Sequence, residues 1–336
     1  MKLRSYSIIG CHHWHITDFI EQMSMLGFEC AGIYEEKPDD LARSIAAKYG
    51  IPMVSDRQAL LADDIEIVGS SAIHSDKIAL IELCEQYGKP IMLTKPAVIN
   101  RSGYERLKQV VDRGIIQIGM MLMERMGPAE YTLKRRLEAG VLGDIVSIAT
   151  RKPHRLTPKT RPPWFFDKQQ NGAIINDLSV HEFDLLRWLT GKEIVASQGY
   201  MLKHILPEHP TFYDSASLQV KMESGIVAQL YLDWYTPEQS WTWGDCRIFI
   251  TGTKGTAELR LSGDPLVAIS PLFLITTYQE GLVSVELDTV PYTLCSDFID
   301  RIEGRSDWVI GHADILAASL AAIQADESVT IIDRTK

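Results

Sequence analysis

Tyr6-Ser7-Ile8-Ile9-Gly10-Cys11-His12-His13-Trp14-His15-Ile16-Thr17-Asp18-Phe19-Ile20 runs from a short apolar stretch through a glycine and a polar turn into an amphipathic stretch. That order reads as strand, tight turn and helix. The pattern repeats downstream. Short apolar runs at 6–9, 30–34, 65–69, 91–93 and 115–121 predict parallel strands. Amphipathic stretches at 16–26, 39–49, 77–87 and 103–113 predict the helices between them, and Gly50, Gly88 and Gly114 each follow a helical stretch as helix-ending glycines do. Strict alternation of this kind predicts an α/β domain, a parallel sheet with helices on both faces. After Met121 the texture changes. One helix is predicted at 129–138, then a polar, proline-bearing loop at 152–163, then a long apolar helix. Alternating strands from 195 to about 287 predict a largely antiparallel sheet with one exposed face, and helices return at 293–301 and 313–325. The expected organisation is one domain over 1–122 and an α+β domain over 123–336.

The 336 residues suit two domains, and 46% apolar composition suffices for both cores. A formal net charge of −10 without a long basic run argues against nucleic acid or an anionic membrane as the main partner. Cys11, Cys30, Cys84, Cys246 and Cys295 are scattered and never form a Cys-x-x-Cys pair, which fits a reducing cytoplasm and gives no zinc signature. The N-terminal residues lead directly into the first strand pattern, with no signal-peptide texture and no run of membrane-spanning length, so the expected location is cytoplasmic.

The turn at Gly10 stands where a Rossmann-type dinucleotide-binding fold places Gly-x-Gly-x-x-Gly. Here the six residues are Gly10-Cys11-His12-His13-Trp14-His15, so only the first glycine is kept. Three readings stay open: histidines lining a phosphate loop at a helix N-terminus, a metal site, or a degraded cofactor site. Three histidines in one turn cannot all point inward, which sets the metal aside, and the first reading is favoured over the last because the rest of the fold logic is present. Glu35 follows the second strand, 25 residues after Gly10, where a carboxylate accepts from adenosine ribose hydroxyls and repels a 2′-phosphate. Glu36 adds to that repulsion. NAD is therefore expected over NADP, with Lys37 and Arg43 as nearby cations working the other way. A solvated loop is the plainer reading of the two glutamates.

Within the apolar helix of 171–189, Asp177, His181 and Asp184 are spaced by four and three, which on an α-helix places them on one stripe. A carboxylate one turn from a histidine orients its imidazole and stabilises the imidazolium. From this stretch alone an acid–base pair and a buried polar cluster are equally supported.

Two segments carry a wider resemblance. Gly88-Lys89-Pro90-Ile91-Met92-Leu93-Thr94-Lys95-Pro96 is similar to Gly-Lys-x-Val-x-x-Glu-Lys-Pro, and Gly172-Ala173-Ile174-Ile175-Asn176-Asp177-Leu178-Ser179-Val180-His181-Glu182-Phe183-Asp184 to Gly-Gly-x-x-x-Asp-x-Gly-x-His-x-x-Asp. Gly140-Val141-Leu142-Gly143-Asp144, Trp164 and Gly252-Thr253-Lys254-Gly255-Thr256 support it. The chain resembles the glucose–fructose oxidoreductase/inositol dehydrogenase (Gfo/Idh/MocA) family of NAD(P)-dependent oxidoreductases along nearly its whole length. The resemblance implies a Rossmann domain followed by an α/β domain on an open, mostly antiparallel sheet. It implies a homodimer or homotetramer formed through that sheet. It also implies Lys95, Asp177 and His181 as catalytic groups, which favours the acid–base reading of the helix. Thr94 stands for the family's usual Glu, and Ser179 for a Gly. Ala72-Ile73-His74-Ser75-Asp76-Lys77 stands for Thr-Pro-Asn-x-x-His. That segment ordinarily lies against the nicotinamide ribose. The expected cofactor residues are thus Gly10, His12, His13, Trp14, His15, Glu35, Ser71, Ala72, His74, Lys77, Thr94, Lys95 and Pro96.

The implied reaction is hydride transfer between a nicotinamide cofactor and a secondary alcohol or ketone of a sugar, polyol or related small molecule. His181 is the general base, Asp177 its orienting group, and Lys95 a donor to the reacting oxygen. Arg125, His154 and Trp164 are candidate substrate contacts, with Arg155 and Arg161 on the same loop; Trp and Arg suit a sugar through stacking and hydrogen bonds. Trp234, Trp241 and Trp243 fit interface or core better. Two alternatives use the same fold: a non-catalytic dinucleotide-binding regulator or scaffold, favoured by the lost glycines and opposed by the intact Lys95, Asp177 and His181, and a glycoside-cleaving enzyme with transient redox.

Overall fold

The computed structural model describes residues 4–36 and 40–335; Lys37, one of the cations weighed above, lies outside them. In chain order the first elements are β1 (Arg4–Cys11), α1 (Ile16–Met25), β2 (Phe28–Tyr34), α2 (Asp40–Tyr49), β3 (Ile67–Ser71), α3 (Lys77–Gln86), β4 (Ile91–Leu93), α4 (Arg101–Arg113) and β5 (Ile118–Met120). Next come α5 (Pro128–Glu138), β6 (Ile145–Pro153), α6 (Lys168–Asn171), α7 (Val180–Thr190), β7 (Ile194–Lys203), β8 (Ser215–Met222), β9 (Val227–Asp233), β10 (Arg247–Gly252), β11 (Gly255–Arg260), β12 (Leu272–Thr277) and β13 (Val283–Val285). The chain ends with α8 (Leu294–Ile302), α9 (His312–Ser328) and β14 (Thr330–Asp333).

Two compact units result. The first comprises Met1–Leu122, Gln169–Asn171 and Tyr292–Leu320; the second comprises Met123–Lys168, Gly172–Pro291 and Ala321–Lys336. In the first, five parallel strands take the order β2-β1-β3-β4-β5. The order reverses between β1 and β3, and ligands of open α/β sheets bind beyond the strand carboxyl ends at such a switch. Both faces of this sheet are buried, with Ile8, Ile33, Val68, Ile91 and Ile118 inaccessible to solvent, which is why its strands read as continuous apolar runs.

A single division at 122/123 does not describe the chain, because 292–320, expected in the second domain, belongs to the first unit. The physical reason lies at the sheet edge. The Ile118 N–H of β5 donates to His312 Nε2 at 3.0 Å, and Arg301 Nη2 donates to the Ile118 carbonyl at 2.5 Å. The returning segment thereby satisfies backbone groups that an edge strand leaves unpaired. Cys295 N–H donates to Gln22 Oε1 at 3.0 Å, tying α8 to α1.

The second unit is built on nine strands in the order β13-β12-β11-β10-β6-β9-β8-β7-β14. Pairing is antiparallel except between β6 and β9 and between β7 and β14. Alternation decides the faces: Ala216, Leu218, Val220 and Met222 of β8 and Ala228, Leu230 and Leu232 of β9 point inward. Helix α7 packs against β6 and α5, and most of its residues are buried.

Candidate active site

On the cofactor side, β1 runs through Gly10 to Cys11. Gly10 has φ +81°, and a Cβ there would lie 2.5 Å from the Ala72 Cβ, so the tight turn keeps its glycine for space and for backbone angle. His12 N–H extends the pairing to β3 by donating to the Ser71 carbonyl at 2.9 Å, and His13 N–H donates to Ser71 Oγ at 3.3 Å. The third glycine of the motif lets the helix approach its strand. Here Gly69 of β3 makes that room: a Cβ on Gly69 would overlap the Phe19 ring of α1. A glycine inside a strand pattern is a signal of close approach, so this compensation was open to sequence reading.

The three histidines do not converge: His12 turns to Glu35, while His13 and His15 meet each other. His12 Nε2 lies 3.0 Å from Glu35 Oε2, which also accepts from the Cys11 N–H at 2.9 Å. His13 Nδ1 accepts from the His15 N–H at 3.2 Å, and the two rings meet edge to face at 4.4 Å. His15 stands at the N-cap of α1, and Trp14 is exposed. Burial pushes the Glu35 carboxyl up, but the hydrogen bonds from His12 and the Cys11 amide and the charge of His12 outweigh it, so its pKa falls below the ordinary value and the group stays ionised. Glu35 is thus an oriented anion at the strand end and not a solvated loop residue. Among the described residues, no group of three or more His, Cys, Asp or Glu side chains is arranged to hold a metal ion.

Beyond β3, His74 Nδ1 faces the Asn171 carbonyl at 2.9 Å; the carbonyl accepts, so Nδ1 carries the proton and Nε2 is the acceptor in the neutral ring. Lys77, expected against the nicotinamide ribose, does something else. Its ammonium is inaccessible to solvent and donates to the carbonyls of Thr94 at 2.6 Å, Lys95 at 3.2 Å and Pro96 at 3.0 Å. Three N–H groups meet three carbonyls, which leaves no donor for a ribose. Lys77 instead fixes the backbone that carries Lys95. Thr94 Oγ1 is buried with no hydrogen-bond partner, although the Thr94 N–H is tied to the Ser70 carbonyl at 2.9 Å. A buried orphan hydroxyl beside Lys95 is the kind of atom a bound polar group satisfies, and with the Gly10 turn and ionised Glu35 it fits a dinucleotide.

On the acid–base side, the helix of 171–189 is not one uniform α-helix. Gly172 has φ +88° and Ala173 φ +63°, a turn held in the left-handed region at a non-glycine residue. Ile175–Ser179 then forms a π-helical turn before α7 begins at Val180. Asn176 Nδ2 donates to the Gly172 carbonyl at 2.9 Å, and Ser179 Oγ to the Ile175 carbonyl at 2.6 Å. Such wide turns recur at functional sites. Asp177 lies inside this one and His181 in the first α-turn after it; both are buried.

Asp184, expected on the same stripe as Asp177 and His181, is engaged by Arg125. Arg125 Nε donates to Asp184 Oδ2 at 2.8 Å and Nη2 to Oδ1, and both side chains are 2% exposed. The Arg125 guanidinium also lies 5.8 Å from the Trp188 ring centroid. Arg125, a candidate substrate contact from the sequence, is thus anchored to α7 through Asp184. Nearby, Lys152 Nζ pairs with Glu182 at 3.0 Å and with Glu124. His154 packs edge to face on Trp234 at 5.5 Å, with Nδ1 3.4 Å from the Lys152 carbonyl. Trp164 is buried beside Phe165. Arg161, on the loop before α6, is held low by burial, and the charge of Asp177 works against that shift, so the two share one neighbourhood.

Residues 131–258 match the family model for the GFO/IDH/MocA C-terminal domain. Scyllo-inositol 2-dehydrogenase (NAD(+)) of Bacillus subtilis is 29% identical over 260 residues, covering 73% of this chain and 69% of the relative. Inositol 2-dehydrogenase 2 of Saccharopolyspora erythraea is 25% identical over 286 residues, covering 82% and 76%. A solved structure from Erwinia carotovora atroseptica superposes with a TM-score of 0.88 at 23% identity, covering 98% of this chain and 99% of that one. The chain is thus similar to the Gfo/Idh/MocA family, whose C-terminal domain it matches over part of its length.

Proposed function

We propose that the protein is an NAD-dependent dehydrogenase of a secondary alcohol on a sugar or polyol. The observation that carries this reading is the buried Asp177 and His181 held at a π-to-α junction, in a chain whose relatives are inositol dehydrogenases. NAD supplies the hydride acceptor when bound. Gly10, the backbone of residues 11–15, Glu35, Ser71, Ala72, His74 and Thr94 are the groups that would hold it. Ionised Glu35 accepts from ribose hydroxyls and repels a 2′-phosphate, which favours NAD over NADP.

The substrate hydroxyl loses its proton as the carbon–oxygen double bond forms. His181 takes that proton, and the negative charge of Asp177, one turn earlier, stabilises the imidazolium. The family resemblance further implies Lys95 as a donor that offsets charge developing on the substrate oxygen. Fixing the 94–96 backbone through Lys77 removes conformational freedom from that donor.

Positioned acid–base catalysis contributes about 10²–10⁴ in rate. His181→Ala is expected to lower kcat at least ~100-fold on the oxidised polyol while NADH affinity stays within about twofold. Near-normal turnover would remove His181 from the mechanism. Fluorescence titration with NADH and with NADPH checks the cofactor: NADH binds at least about tenfold more tightly, and Glu35→Ser narrows the gap. Equal binding of both by the unmodified protein refutes the role given to Glu35.

A further inference from the structure

Deepening the dehydrogenase reading, on which this step rests, we propose that Arg155 and Arg161 form a subsite for an anionic group on the substrate, a carboxylate or phosphate carried by the sugar or polyol. The two guanidiniums converge on one indole: Cζ of Arg155 lies 5.7 Å and Cζ of Arg161 5.8 Å from the Trp243 ring centroid. Arg161 is boxed further by Phe165 at 4.4 Å and Trp234 at 5.3 Å. Aromatic faces hold a guanidinium in place without consuming its N–H donors.

The donors already used go to backbone. Arg161 Nε donates to the Leu156 carbonyl at 3.0 Å and Nη2 to the Arg155 carbonyl at 3.5 Å. Arg155 Nη2 donates to the carbonyls of Ser240 at 2.9 Å and Thr242 at 3.1 Å. Arg155 Nε is buried with no hydrogen-bond partner, and neither guanidinium forms an ion pair among the described residues. The charge acting on Arg161 is that of Asp177, so the subsite adjoins the proposed acid–base helix and carries two positive charges against one negative. Two half-buried cations beside one carboxylate leave an excess of positive charge, and ordering a loop does not require two of them. A carboxylate or phosphate supplies the missing charge and matches the planar fork of donors.

Calorimetry on the full chain with NADH present tests this. The probes are glucuronate and gluconate for the carboxylate, glucose 6-phosphate for the phosphate, and glucose as the neutral reference. At least one acid is expected to bind at least about tenfold more tightly than glucose, one charge-assisted contact being worth about that factor. Arg161→Gln is expected to erase the advantage and Arg161→Lys to keep part of it. Arg155→Gln gives a second reading if Arg161→Gln does not fold. The proposal falls if no acid outbinds glucose, or if the advantage survives both glutamine variants. NADH production on the same panel separates the two claims. Acids that bind through Arg161 but reduce no NAD sink the dehydrogenase and leave the subsite. Neutral polyols oxidised without an acid preference do the reverse.

Discussion

His312 shows how one side chain couples fold to pH. Its Nε2 accepts from the Ile118 N–H, so the ring must be neutral at that atom. Burial, with Arg301 nearby, pushes its pKa down to about 4. The folded value lies below the unfolded value of about 6.5, so the unfolded chain binds the proton more tightly. The contribution is full above pH 6.5 and is lost as pH falls toward 4. By pH 5 the loss is about 1–2 kcal/mol once partial exposure is allowed for. His312→Gln keeps an acceptor but does not titrate. Urea unfolding at pH 7.5 and pH 5 is expected to show the unmodified protein losing that much more than the variant; equal losses contradict a neutral acceptor. At this scale Glu35 at a strand end and the spacing of Asp177 and His181 are legible in the sequence, whereas Lys95 and the catalytic roles come only from the family resemblance. The pairing of His12 with Glu35 and of Arg125 with Asp184 is not legible, since each joins residues whose separation in sequence says nothing of their distance in space.

Among the elements, the helices and strands of the first unit follow the expected spans closely, with β4 and the start of α3 matching to the residue. Periodicity sees burial, and burial defines these elements. It does not see buried ammonium groups, which composition counts as surface charge. Lys77 clamps 94–96, Lys89 donates to the Ala62 and Ile65 carbonyls, and Lys203 donates to the carbonyls of Ile205, Leu206, His209 and Phe212. Each straps a loop through its carbonyls, those of Ala62, Leu206 and His209 also accepting from backbone N–H groups of the same loop. Nor does periodicity see the π-turn, since Asn176 and Ser179 bond to the backbone of that turn only once it has formed. Lys77→Met keeps the stem and removes the three donors. Unsatisfied buried carbonyls then cost roughly 2–4 kcal/mol in stability. If the strap also positions Lys95, kcat on the polyol falls at least about tenfold while KM for NAD holds, and Lys77→Arg restores part of it. A stability loss with unchanged kcat limits Lys77 to structure.

For the whole molecule the open question is what covers the outer face of the nine-stranded sheet. Alternation leaves Tyr200, Val227 and Phe249 exposed there at 52%, 41% and 38%. Arg151, Arg247 and Arg260 stand side by side on β6, β10 and β11, a row of like charges that neighbouring strands normally avoid. Asp245, Glu258 and Asp264 pair with the last two of these. We propose that a second copy of the chain covers this face, because a two-fold axis lets one exposed, partly apolar sheet face serve as a self-complementary patch on both subunits. Phe249 lies opposite Glu258 and Ala149 in register. Phe249→Asp would therefore set a carboxylate against Glu258 in the middle of the proposed interface. Sedimentation velocity is expected to show a dimer or tetramer for the unmodified protein and a shift toward monomer for the variant, with thermal unfolding of the isolated variant as the folding control. An unmodified protein that stays monomeric at micromolar concentration refutes the association. A variant that assembles unchanged places the interface elsewhere.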